Sequence, residues 1–331
     1  MAFPFDLDPH ARDPGGWATS MLHNAEFVLA CLDAARARTI CEVGGFQGEL
    51  TELLLRRGAV GGGRLTVVDT APHAELRALA DVRDDAELTL WETDSHSALR
   101  EIELPDAIVL DGDHNYWTVA GELSIIAERY AAAERSFPLV LMHDVGWPHD
   151  RRDDYYVPEN VPAEHRHPLA EDGLFPGNPD TVHGGIPFDH PAAREGGPRN
   201  GVLTAVEDFL AERGELRLAI VPSFFGLGVI WDVAGPHAEA IEQTLAPWDR
   251  NVLLQRMEDN RILHLANTHV LLIAAQEAQE RVVARDRQLQ RQTELLTAIN
   301  GSRVFWAVQL LLRLRHGRAV VSPRQMRGAI T

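Results

Sequence analysis

Along this chain, apolar residues gather in short runs that stop abruptly at acids, histidines or glycines. Ala107-Ile108-Val109-Leu110 runs into Asp111-Gly112-Asp113-His114, and Leu139-Val140-Leu141-Met142 runs into His143-Asp144. A continuous apolar run of this length, bounded by polar residues, marks a parallel strand covered on both faces. The same reading predicts strands at 38–43, 64–68, 88–91, 216–221 and 228–231. Helix-period stretches lie between them. Residues 21–38 carry Leu22, Phe27, Val28, Leu29 and Leu32, and a second stretch carries Leu50, Leu53, Leu54 and Leu55. Further helices are predicted at 118–133 and at 202–213, where Val202, Val206, Phe209 and Leu210 share one side. Strands alternating with helices predict an α/β chain with a mostly parallel, Rossmann-like sheet.

The pattern also divides the chain. Residues 1–20, rich in Pro, Asp and Gly, read as an irregular arm. A sheet domain follows at 21–233, interrupted at 145–201 by a long segment without helical or strand period. A loop of that length inside a compact domain is usually functional. It follows His143-Asp144 directly, so it reads as a lid over the strand ends. Trp147, Tyr155 and Tyr156 are its candidate acceptor-stacking residues, with pinning the lid to the body as the alternative. Its histidines lack the paired spacing of a zinc site.

Residues 234–331 form a helical extension. From 249 to 299 there is neither Pro nor Gly. One heptad column, Ala275, Val282, Leu289 and Leu296, is apolar, but its partner column holds Gln279, Asp286 and Thr293, so the coiled-coil pattern is half formed. Residues 301–331 hold six arginines and no acid. With the apolar run 304–314, they predict contact with a membrane surface or a partner protein.

Composition narrows the function classes. Hydrophobic residues at 45% and charged residues at 24% are ordinary for a globular protein. The net charge of -18 argues against nucleic acid as a partner of the main body. Cys31 and Cys41 make no disulfide framework. No secretory pattern and no run of ~20 apolar residues is present, which predicts a cytoplasmic protein, at most peripheral at a membrane. Homo-oligomerisation through the arm or the extension is the expectation.

The candidate chemistry sits at the strand ends, where open α/β sheets bind ligands. The first strand runs into Glu42-x-Gly44-x-x-x-Gly48, with Gly45 inside the turn. No register supplies G-x-G-x-x-G, which points to a ligand without pyrophosphate. Glu42 suits a cationic group beside the turn. Asp69, ending the second strand, suits ribose hydroxyls, and Asp94, beside Ser95 after the third, suits an adenine amino group. Asp111, His143 and Asp144 suit a divalent cation and His114 suits proton transfer. Asp113 is an alternative ligand to Asp111. Acids in such places also serve turns and helix caps, which is the plainer reading of Asp111, Asp144 and Glu42.

Taken in order, Glu42-x-Gly44-x-x-x-Gly48, Asp69, Asp111-Gly112-Asp113-His114 and His143-Asp144 resemble the class I S-adenosylmethionine-dependent methyltransferases. Within these, the chain is similar to the metal-dependent branch of sugar O-methyltransferases and cephalosporin-hydroxylase-like proteins. The resemblance covers about 20–232. It implies a seven-stranded sheet whose last strand is antiparallel, with S-adenosylmethionine and a divalent metal, Mg²⁺ in the first instance, as cofactors. It also implies methyl transfer to a hydroxyl of a sugar or secondary metabolite, with His114 at the position of the base. The family carries Glu where this chain has His143, and imidazole favours a transition ion over Mg²⁺. Two other readings follow from the same residues. One is an accessory protein that binds S-adenosylmethionine without methylating, and the other is a metal-dependent enzyme of different chemistry on the same sheet.

Overall fold

The computed structural model of the chain describes residues 19–83, 87–317, 321, 324 and 325. Most of the expected arm at 1–20, and most of the tail beyond Gly317, lie outside the described residues. The helices are α1 (Ala25–Ala34), α2 (Glu49–Gly61), α3 (Ala74–Asp81), α4 (Ser95–Glu101), α5 (Tyr116–Ala132), α6 (Val202–Leu210), α7 (Ala238–Leu245), α8 (Val252–Gly301) and α9 (Arg303–His316). The strands are β1 (Thr39–Val43), β2 (Arg64–Val68), β3 (Leu88–Trp91), β4 (Ala107–Leu110), β5 (Leu139–Met142), β6 (Leu216–Val221) and β7 (Leu227–Asp232).

These strands form one seven-stranded sheet in the order β3-β2-β1-β4-β5-β7-β6. β1 pairs in parallel with both β2 and β4, and β4 pairs in parallel with β5. β7 runs antiparallel to β5 and to β6. This is the Rossmann-like methyltransferase sheet that the strand pattern and the resemblance imply. The order reverses between β1 and β4, so a crevice opens at the carboxyl ends of those two strands.

The core is split by the sheet. Ile40, Leu65, Val67, Val109, Leu139 and Leu141 face one layer, in which α1, α2 and α7 lie. Cys41, Val43, Ile108, Leu110, Val140 and Met142 face the other, under α4, α5 and α6. β4 and β5 read as unbroken apolar runs because both of their faces are covered, whereas β1 carries Glu42 among its apolar residues. Cys31 and Cys41 are both buried free thiols.

Two local departures from the sequence reading have plain causes. The 21–38 helix is a 3-10 turn (Met21–Asn24) followed by α1, since the Ser20 hydroxyl caps the turn by accepting the Leu22 N–H at 3.2 Å. The segment at 145–201 is well ordered by hydrogen bonds although it has no long helix or strand. Its centre is Asp153, fully buried, whose Oδ1 accepts the N–H groups of Tyr116 and Gly201 and whose Oδ2 accepts the Tyr155 hydroxyl. Beside it, the buried Arg152 donates to the Ala192 and Pro179 carbonyls. A buried polar network of this kind gives no periodic signal, so hydropathy alone reads the segment as a loop.

Two compact units divide the chain, Met1–His269 and Val270–Thr331. The first takes in α7, whose Ile241 and Leu245 join the core, and the start of α8. The sheet unit thus continues past the 233/234 boundary drawn from the sequence. The second unit holds the rest of α8 and α9.

Asp153→Ala leaves two buried backbone N–H groups and a buried hydroxyl without acceptors, at about 1–3 kcal/mol each. Denaturant unfolding is expected to show a loss of at least about 3 kcal/mol, with new protease cleavage inside 145–201.

Candidate active site

One cavity of about 1150 Å³ opens over the carboxyl ends of the central strands. That exceeds the roughly 300–1,000 Å³ of a pocket for one small molecule, so it has room for two. One end is lined by Glu42, Gly44, Gly45, Asp69, Asp94 and Ser95. The other is lined by Asp111, His114, Asp144, His149, Tyr156 and Phe188.

The first end is shaped by the β1–α2 turn. Gly44 has φ +88°, and a Cβ there would stand 2.0 Å from the Asp111 carbonyl oxygen. Only glycine lets the turn cross the end of β4 this closely. The glycine pattern that suggested close approach to a ligand therefore first serves close approach of two backbone segments. Gly48 has φ +86° as the N-cap of α2 and lies outside the cavity lining. Gly45 is packed, since a Cβ there would meet the Leu76 and Val67 side chains at 2.6 Å.

Glu42 is buried and accepts the Thr51 hydroxyl at 2.6 Å. Burial pushes its carboxyl up to about 8, with the Asp111 and Asp69 charges adding to the rise and Thr51 opposing it. Asp69 accepts the Phe46 N–H on one oxygen and the Ala71 N–H on the other, both at 2.8 Å. Each oxygen keeps a second lone pair for a ligand hydroxyl. Asp94 is the N-cap of α4, accepting the Ser97 N–H at 2.9 Å, a capping role that the sequence reading did not assign to it. Ser95 hydrogen-bonds Glu122 of α5. Glu122 is a cavity residue that sequence reading missed. It is 2% exposed, burial pushes it up to about 8, and its Oε1 has no protein partner.

The second end is built around Asp144. Its φ is +60°, a strained value for a residue with a side chain. From there its carboxylate Oδ2 meets His114 Nδ1 at 2.9 Å and His143 Nδ1 at 3.2 Å. His143 Nδ1 is also 3.2 Å from Asp111 Oδ1. Burial opposes charge on Asp144, but the two imidazoles hold its carboxyl well below the usual range. Burial likewise opposes charge on His143, yet Asp144 and Asp111 hold it well above the ordinary imidazole range. His114 follows the same logic: burial lowers it, but the Asp144 charge more than offsets that and pushes it up to about 10, so the ring is charged near neutral pH while no cation lies beside it.

Beyond the carboxylate, the two rings have different fates. His143 Nε2 donates to the Phe224 carbonyl at 2.8 Å. Phe224 and Phe225 have φ +46° and +67° in the tight β6–β7 turn. The N–H of Phe225 is held by Glu258 of α8 at 2.8 Å. His114 lines the cavity, and its Nε2 has no protein partner among the described residues. Its ring stacks on His149, centroid to centroid 5.0 Å, and its carbonyl accepts the Asp154 N–H at 3.0 Å. Burial drives His149 down to about 3, so it stays neutral. His149 and Asp154 come from the 145–201 segment and carried no recognisable signal there.

The lid residues fall unevenly. Tyr156 is 43% exposed and lines the cavity. Tyr155 is 0% exposed and lies outside the lining: its hydroxyl donates to Asp153 and accepts the His167 N–H. It pins the segment instead of facing an acceptor. Trp147 is outside the lining as well and meets Phe188 edge-on at 6.2 Å. Asp113 is committed to structure, with Oδ2 accepting from Asn115 and Thr118 and Oδ1 accepting the Tyr156 N–H.

Ligand atoms of Asp111, His143 and Asp144 lie within 4.8 Å of one another. Two carboxylates and an imidazole fit a divalent ion of the transition series better than Mg²⁺. The backbone carbonyl on His143 Nε2 fixes its ring so that Nδ1 faces the carboxylates, as a metal-bound histidine needs.

No family model matches the chain, and no curated protein matches it. Solved structures are similar at low identity. The SAH-bound methyltransferase PaMTH1 of Podospora anserina is 15% identical, with 70% of this chain and 98% of that chain covered and a TM-score of 0.41. Cofactor-bound Rv0187 from MTB is 14% identical over 70% of this chain and 92% of that one, TM-score 0.39. An O-methyltransferase family protein from Burkholderia thailandensis is 14% identical over 68% and 60%, TM-score 0.38. The fold assignment rests on the strand order and register of this chain.

Glu122 offers a pH test. Its native value near 8 lies above its ordinary value of 4.5, so the native state holds the proton longer than the unfolded chain. Stability is then fully present below about 4.5 and falls as pH rises to about 8. Glu122→Gln is expected to remove the Glu122 share of that fall, leaving the share of Glu42, and to raise stability at pH 8 by on the order of 2–4 kcal/mol. Unfolding midpoints measured from pH 5 to about pH 8 check it.

Proposed function

We propose that this protein is an S-adenosylmethionine-dependent O-methyltransferase acting on a hydroxyl of a sugar or secondary metabolite with help from a divalent metal. The observation that carries the reading is the His114–Asp144 contact of 2.9 Å on the wall of a cavity with room for two ligands. The cavity is lined by Asp69, Asp94, Asp111 and Asp144, and no arginine lines it among the described residues. Such a wall favours a sulfonium and an ammonium and disfavours pyrophosphate or phosphorylated acceptors.

In this scheme Asp69 binds the ribose hydroxyls, and the neutral Glu42 sits behind the glycine turn. Asp144 accepts the Nδ1–H of His114 and so orients the ring, and a cation bound at Asp111 and Asp144 would offset the carboxylate charge that keeps the ring protonated, so that Nε2 would be free to take the proton of the acceptor hydroxyl. His149 covers one face of that ring and Tyr156 and Phe188 give the acceptor a surface to lie on. Asp111, His143 and Asp144 would hold the metal. When bound, S-adenosylmethionine supplies an electrophilic methyl group and the ion polarises the acceptor hydroxyl. Much of the rate must come from aligning the reacting atoms, which the ordered 145–201 segment serves.

His114→Ala is expected to lower methyl transfer by about 10²–10⁴-fold while S-adenosylmethionine binding stays within about twofold of the unaltered protein. Asp144→Asn is expected to lose activity as well, because a neutral amide holds the ring less firmly and is a poorer metal ligand. Labelled methyl transfer from S-adenosylmethionine to a panel of neutral and amino sugars and hydroxylated metabolites checks both. Full turnover in His114→Ala would show that another group takes the proton.

A further inference from the structure

We infer that α9 is a surface-binding helix for anionic lipid bilayers. The observations lie outside the cavity and do not depend on the reaction. α9 is a properly terminated helix: the Ser302 hydroxyl accepts the Phe305 N–H, and Gly317 closes it with φ +71°. The Trp306 indole N–H donates to the Asn300 carbonyl at 2.6 Å, fixing the bend where α8 gives way to α9. The two helices meet at 66°.

Val304, Ala307, Val308, Leu311 and Leu314 recur at helical spacing and make one apolar side. All are exposed, Val304 at 73%, Leu311 at 64% and Leu314 at 75%. The narrow polar stripe carries Gln309, Arg313 and His316. Here the usual arrangement is inverted. Gln309 is buried and accepts the Val321 N–H, while the apolar side is exposed. A helix of 14 residues is about 21 Å long, short of the ~30 Å needed to cross a bilayer core. No single helix among the described residues is long and apolar enough to cross one, and α8 and α9 reach that length and hydropathy only together, across their 66° bend.

Charge decides which occupant fits. Residues 301–331 carry six arginines and no acid, in a chain of net charge -18. A second copy packed with its own α9 on this one would bring arginines against arginines with no acid in 301–331 to pair them. An anionic headgroup layer offers the opposite charge, and Arg303, Arg313 and Arg315, at the two ends of the helix, can reach phosphates while the leucines enter the acyl boundary. Such a helix lies in the plane of the membrane and holds the enzyme at its surface.

The test is co-sedimentation of the full-length protein with vesicles of phosphatidylcholine mixed with phosphatidylglycerol, and with vesicles of phosphatidylcholine alone. The expected result is binding to the mixed vesicles that weakens with salt and is at least about tenfold weaker to the neutral ones. Arg313→Gln is expected to weaken binding about fivefold, and the double change Leu311→Asp, Leu314→Asp to abolish it. Circular dichroism confirms that each variant keeps its helix content. Absence of binding to mixed vesicles overturns the inference, and so does equal binding to both kinds. Self-association of the chain that Leu311→Asp, Leu314→Asp disperses, without vesicle binding, also overturns it and assigns the face to a second copy.

Discussion

The buried carboxylate of Asp144, shared between two imidazoles, is the constraint on which the candidate site depends. An acid this deep is stable only if paired, and here the pairing is with His114 on one side and His143 on the other. Each contact does a separate task. The first holds the His114 ring on the cavity wall by its Nδ1 and leaves Nε2 without a protein partner among the described residues. The second gathers Asp111, His143 and Asp144 into a set that suits a divalent ion. The left-handed backbone of Asp144 is the local cost of placing one carboxylate where it serves both.

That arrangement is supported from several directions. The crossing of Gly44 over the Asp111 carbonyl brings the β1 turn against the end of β4, so that the two ends of the cavity adjoin. The Phe224 carbonyl holds His143 from the β6–β7 turn, and Glu258 holds that turn from α8. The segment 145–201, fastened through Asp153 to the start of α5, lays His149 and Asp154 beside His114. Loss of any of these supports would loosen the reacting geometry without touching a reacting group.

Much of this was legible in the sequence, for a physical reason. Strands covered on both faces are mostly apolar, so β4 and β5 show themselves as unbroken runs, β1 as a run broken only near its end by Glu42, and the residues that follow them must lie at the sheet's ligand-binding edge. That logic brings Asp111, His114, His143 and Asp144 together without any structure. It does not extend to side chains whose place is set by tertiary hydrogen bonds. Tyr155 and Tyr156 are adjacent and alike in sequence, yet one is fully buried on Asp153 and the other faces the cavity. Glu122 reads as one polar position on a helix, although it points a neutral carboxyl toward Ser95. His149 is one histidine among several in a segment without period, and only the folded chain stacks it on His114.

The most direct measurement is calorimetric titration of the full-length protein with S-adenosylmethionine, with Mn²⁺ or Mg²⁺ and with a chelator. The account predicts one site per chain with a dissociation constant on the order of micromolar, about -8 kcal/mol. No binding under any of these conditions would contradict it, and would mean that the acid-lined cavity over β1 and β4 serves a different ligand.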